Sequence, residues 1–145
     1  MIHLDKNAKF INQWYGNMTG PGKFAQTHGS AVDPKRGDVW IGDREEYRIV
    51  VYDANGKFIK TLSMRNPACA LYFDRSGQLW MGSGQDGQFL KIDQDGSVLG
   101  AIGRGSGTGP GQFIEASYFA IDKEGNLWAG DTSVGRITEM IVPKK

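Results

Sequence analysis

Three seven-residue segments of this chain share one pattern: GDVWIGD at 37–43, GQLWMGS at 77–83 and GNLWAGD at 125–131. Each reads glycine, polar, aliphatic, tryptophan, apolar, glycine, small polar. The tryptophans Trp40, Trp80 and Trp128 are 40 and 48 residues apart. Ahead of each lies a short apolar run that closes on aspartate: SAVD at 30–33, LYFD at 71–74 and FAID at 119–122. A second landmark, TGPGKF at 19–24, returns as TGPGQF at 108–113, two periods later. A repeat of this length constrains the fold more than any other feature. Each unit is a single supersecondary element that must stack on its neighbours to bury its apolar faces.

Within a period the pattern is four short strands, in the first full unit about 29–33, 38–43, 47–53 and 57–62. Tyr47–Tyr52 is rich in β-branched and aromatic residues, and Phe58–Leu62 is a short companion. The connections Asp33–Gly37, Asp53–Gly56 and Asp122–Gly125 all end on a glycine suited to a tight hairpin. No segment has an apolar period of 3.6 residues, so helix content should be near zero. Four-stranded units of this length are propeller blades.

The fold class expected is therefore all-β, a β-propeller with about three four-stranded blades per chain. Residues 23–63 and 64–103 make one blade each, and 110–143 give the first three strands of another. Residues 1–15 resemble the end of a blade and give the last strands of a shared one. Three blades cannot close a ring, since propellers use about 4–8. The expectation is a homodimer closed by strand exchange into a six-bladed ring; the alternative is a piece of a longer propeller.

Composition narrows the partners. Of 145 residues, 17 are Lys or Arg and 16 Asp or Glu, a formal net charge of +1. That balance provides no field to gather nucleic acid or an anionic membrane. Glycine, 21 residues, is about twice its usual share of roughly 7%, and it falls beside the apolar runs as turn punctuation. The single cysteine, Cys69, excludes an intrachain disulfide framework. No signal peptide and no run of about 18 apolar residues is visible, which leaves the compartment open.

The stretch TGPGKFAQTHGSAVDPKRGDVWIGDREEYRIVVYDANGKFIKTL resembles an NHL repeat. The GPG-K-F lead-in, the H-G-S-A-V-D strand, the G-D-R turn and the Y-D-A-N-G-K-F hairpin carry the resemblance. It is similar to the bacterial six-bladed group related to peptidyl-hydroxyglycine amidating lyase. That resemblance implies an open-channelled propeller in which lyase members hold zinc with three histidines from different blades. His28 matches a zinc-histidine position, and Arg44 an arginine placed over the substrate. Aligned on Asp33, Asp74 and Asp122, the other units have Cys69 and Ser117 where His28 sits. One chain therefore lacks the second and third histidine.

Antiparallel order puts the start of each inner strand and the end of the second strand on one rim. His28, Cys69 and Ser117 should line that mouth, with Asp43, Arg44 and Glu115 beside them. Loops on a rigid scaffold at a concave mouth are the default place for a ligand. Arg44 suits a carboxylate or phosphate through paired hydrogen bonds. His28 and Cys69, doubled across a two-fold axis, are donors for zinc, with calcium the other ion considered. The GTGPG loop at 107–111 lacks the Lys-Ser/Thr of a P-loop and no helix follows it. No Ser/His/Asp set sits on a nucleophile elbow. The expected function is a non-catalytic scaffold binding a small-molecule or protein ligand at the channel mouth. The alternative is a metal-dependent lyase or hydrolase whose site is assembled across the dimer axis.

Overall fold

Alternating side chains give each short strand two faces, and in this chain both faces of the central strands are apolar. Such strands are stable only as layers in a stack. The computed structural model describes residues 1–14 and 21–141. It contains thirteen strands among those residues, and its helical turns are two single 3-10 turns, at Arg44–Glu46 and Gly84–Asp86.

The first full blade is β3 (Thr27–Val32), β4 (Val39–Asp43), β5 (Arg48–Tyr52) and β6 (Phe58–Ser63). The second is β7 (Ala68–Phe73), β8 (Leu79–Ser83), β9 (Gln88–Ile92) and β10 (Val98–Ile102). Both are four-stranded antiparallel sheets in chain order. The third sheet has three strands, β11 (Ala116–Ile121), β12 (Leu127–Asp131) and β13 (Arg136–Met140). The N-terminal hairpin pairs β1 (Ile2–Leu4) with β2 (Phe10–Gln13). Residue 15 of the expected N-terminal piece and residues 142–143 of the last unit lie outside the described residues.

The hairpin lies on the first blade as the outer half of a preceding blade would. Trp14 packs on Tyr52 with ring centroids 5.7 Å apart, and the Asn12 amide donates to the Asn55 carbonyl at 2.8 Å. β1 corresponds to a third strand and β2 to a fourth. The hairpin and the C-terminal sheet thus hold five strands between them, where a full blade here has four.

Blades meet through apolar faces. Trp40, Ile49 and Val51 of the first blade pack on Phe73, Leu79 and Met81 of the second. The Trp40 and Phe73 rings meet edge to face at 5.8 Å, a geometry that adds to the area buried. Phe89 of the second blade packs on Phe113, Leu127 and Ala129. The tryptophan repeated in each unit grades in burial along the stack: Trp40 is fully buried, Trp80 half-buried, and Trp128 is 43% exposed. Among the described residues Trp40 and Trp80 have a further sheet after them and Trp128 has none.

Two glycines of the stack are required by close approach. A Cβ at Gly42 would stand 2.5 Å from the Ala68 carbonyl oxygen, and one at Gly82 would stand 2.7 Å from that of Ala116. Each meets the backbone of the next blade. No side chain fits between layers at those points.

Candidate functional site

The ladder between the inner strand and its neighbour slips at the same place in all three sheets. Pairing jumps from Thr27 to Gly29, from Ala68 to Ala70, and from Ala116 to Tyr118. The residues left out of register are His28, Cys69 and Ser117. A bulge re-aims the side chain it carries and increases local twist. The sequence places these three residues at one rim, but nothing in their types signals the bulge that turns them there.

Arg44 is the centre of the cluster. It opens the 3-10 turn after β4 on the first blade. Its guanidinium donates to Glu115 Oε1 at 2.7 Å, across the middle blade, and also to the Glu45 carboxylate. It faces the Cys69 sulfur as well, and that contact first, then Glu115 and Glu45, holds Arg44 protonated against partial burial. Burial pushes the Cys69 thiol up, and Arg44 pulls it only part of the way back. Cys69 is fully buried, and a Cβ at Gly84 would stand only 2.8 Å from its sulfur.

Around this core, Glu115 Oε2 accepts from the Ser133 hydroxyl at 3.2 Å and from Thr132 at 3.5 Å. The Ser117 and Thr132 hydroxyls share a hydrogen bond of 3.1 Å. His28 Nδ1 bonds the Cys69 carbonyl oxygen at 2.8 Å, and its ring stacks on Tyr118, 5.8 Å away and tilted by 23°. Tyr118 is 56% exposed, so the pair forms an aromatic wall open to solvent.

Asp43 lies beneath this surface. Its side chain is fully buried and both oxygens are used within the blade. Oδ1 accepts from the Ala25 and Gln26 backbone N–H groups at 2.9 and 2.8 Å, and Oδ2 from Arg48 at 2.8 Å. Asp131 repeats the arrangement, accepting from Ile114 and Glu115 backbone N–H groups and facing Arg136 at 3.5 Å. These two aspartates fix the lead-in to their inner strands. Through the Glu115 N–H, Asp131 also sets the residue that receives Arg44. Asp43 is a positioning residue, with no oxygen left for a ligand.

A metal pair is not presented by one chain. His28 turns to a carbonyl of residue 69 and the Cys69 thiol turns to a guanidinium, whose charge opposes a cation at the sulfur. Among the described residues, no three of His, Cys, Asp and Glu converge on one point. Two ligands from one chain, oriented in this way, do not fit zinc, which takes four in structural sites.

No protein-family model matches the sequence, and no curated protein matches it. Solved structures do. A gluconolactonase from Xanthomonas campestris superposes with a TM-score of 0.63 at 16% identity, over 75% of this chain and 36% of its own. A Bacteroides caccae protein of unknown function gives 0.62 at 11%, over 76% and 43%. A catalytically inactive virginiamycin B lyase from Staphylococcus aureus with quinupristin gives 0.55 at 19%, over 82% and 42%. The chain has the β-propeller blade fold. It spans less than half the length of these proteins, and at such identities the likeness extends to fold alone.

Proposed function

We propose that the chain is an NHL-type propeller scaffold that binds a ligand, without catalysis, at the rim built by His28, Arg44, Glu115, Ser117 and Tyr118. The observation that carries this reading is the Arg44–Glu115 bond, which ties the first blade to the third sheet across the second. The chemistry differs from that of a free arginine. Both terminal nitrogens of Arg44 face carboxylates, and two glutamates outnumber the one guanidinium. The rim suits a ligand that brings N–H or O–H donors to Glu115 and lays a flat group on the His28–Tyr118 wall. A small amide, amine or polyol has those features, as has an exposed segment of a protein.

The test is ligand-observed NMR with a panel of small amides, amines and polyols. A hydrogen bond to a charged group is worth about 1.5–3 kcal/mol. Glu115→Gln should therefore weaken a true rim ligand about tenfold or more, and Tyr118→Ala should weaken it further. Binding indifferent to both substitutions would place the site elsewhere.

A second reading is a metal-dependent lyase or hydrolase assembled between two chains; the propeller neighbours include enzymes, a lyase and a gluconolactonase. Elemental analysis of protein purified without added ions tests it. Stoichiometric metal lost in His28→Ala would support it; metal-free protein would remove its premise.

A further inference from the structure

We infer that the open face of the C-terminal sheet docks on the first blade of a second copy of this chain, continuing the interface that the chain already builds twice within itself. This is independent of what the rim binds.

Gly130 carries the argument. It occupies the place of Gly42 and Gly82, the last glycine of the second strand. Those two are packed against the Ala68 and Ala116 carbonyls of the next blade. Gly130 has no such neighbour: the nearest atoms a Cβ would meet belong to Tyr118 of its own sheet, at 3.6 and 3.8 Å, an ordinary contact. Among the described residues, nothing within one chain requires a glycine there. The requirement appears once another blade follows, and the residue equivalent to Ala68 and Ala116 at the start of an inner strand is Thr27.

The side chains around Gly130 repeat the same logic. Trp128 stands where Trp40 and Trp80 stand, and Ile137 where Ile49 stands, yet they are 43% and 78% exposed. Trp40 meets Phe73 and Leu79 of the following blade. The residues in those places on the first blade are Val32 and Val39, and Val32 is 58% exposed. They line an apolar hollow of about 350 Å³ together with Met1, Ile2 and Trp14. One chain thus carries both halves of the contact at its two ends. A face and its seat on opposite ends of one molecule form a head-to-tail contact, which closes when the rotation per copy allows. The neighbours' own chains are more than twice the length matched here, so two copies suffice for a ring of their size. In that ring the third-strand place is claimed by β13 of one copy and β1 of the other. β13 makes five register pairs against three for β1, one beside a register shift, so β1 gives way.

The experiment is absolute mass by light scattering on a sizing column, with the full chain. The native protein should run at twice the 15.9 kDa of one chain. Gly130→Val should run at 15.9 kDa with its far-UV strand signal kept, because the valine blocks the approach of Thr27 and nothing else. Gly100→Val, on the outer edge strand β10 where a Cβ meets nothing within 4 Å, should remain dimeric. Should the Gly130 variant fail to fold, Val32→Lys on the opposite face decides in its place by the same shift to monomer. A folded native monomer, an open-ended ladder of masses, or a dimer indifferent to Gly130→Val and Val32→Lys would each overturn the inference.

Discussion

Arg44 donates to Glu115 at 2.7 Å although 71 residues separate them. The pair is mostly buried but not sealed, with side-chain exposures of 18% and 26%, and a glutamine at 115 would keep an acceptor for Arg44. Replacing a charged acceptor by a neutral one forfeits about 1 kcal/mol, the difference between the two kinds of hydrogen bond. Glu115→Gln should lower the unfolding free energy from urea titration by no more than about that amount. A loss well above it would make the pair part of the core.

Asp43 should behave oppositely. It is fully buried and accepts from Arg48 and two backbone groups. Removing one member of such a set leaves a buried cation and two N–H groups unpaired, at a cost of about 3–5 kcal/mol. Asp43→Ala is expected to lose stability on that scale in equilibrium unfolding, several times the effect of Glu115→Gln.

The strand glycines separate by position. Gly42→Ala must push aside the Ala68 carbonyl, and overpacking of this kind costs about 1–3 kcal/mol. Gly100→Ala on the outer edge strand faces open space and should stay within about 0.5 kcal/mol. Thermal unfolding of the two variants side by side reads the difference.

Acid should reveal the inner hairpins. Burial works against the charge on Asp74, yet hydrogen bonds from Ser76, Trp80 and Gln78 outweigh it and hold the carboxyl below its ordinary value of 3.8. A group depressed on folding contributes stability that is complete above its unfolded value and is lost as pH falls through its folded one. The native protein should therefore lose this contribution only below about pH 3.8, and Asp74→Asn should flatten the acid limb of stability against pH there. An unchanged limb in the variant would show that Asp74 is not linked to folding.

The repeat was legible because a blade is local. Its strands, turns and strand-ending aspartates lie within about forty residues, and the four strands expected in the first unit have ends within two residues of those observed. That His28, Arg44, Cys69, Glu115 and Ser117 stand at the same end of their strands follows from antiparallel order. What stayed hidden depends on contacts between blades or on backbone detail. The bulges at His28, Cys69 and Ser117 leave no mark in residue type. Arg44 reads as a free anion receptor until Glu115 is brought to it from a distant unit. Asp43 reads as a rim carboxylate, yet Ala25 and Gln26 fold over it. The five strands shared between the two terminal pieces also escape a reading that looks only for a missing one.

The graded burial of the repeated tryptophan has a spectroscopic consequence. Trp128 is the most exposed indole of the described residues, and it lies on the face that a second copy would cover. Its emission should be the reddest and the first quenched by acrylamide, while Trp40, sealed between two blades, is dark to the quencher. Dilution through the association range would then turn one band red without unfolding anything. The chain carries, at the end of its stack, an optical gauge of whether the stack has been continued.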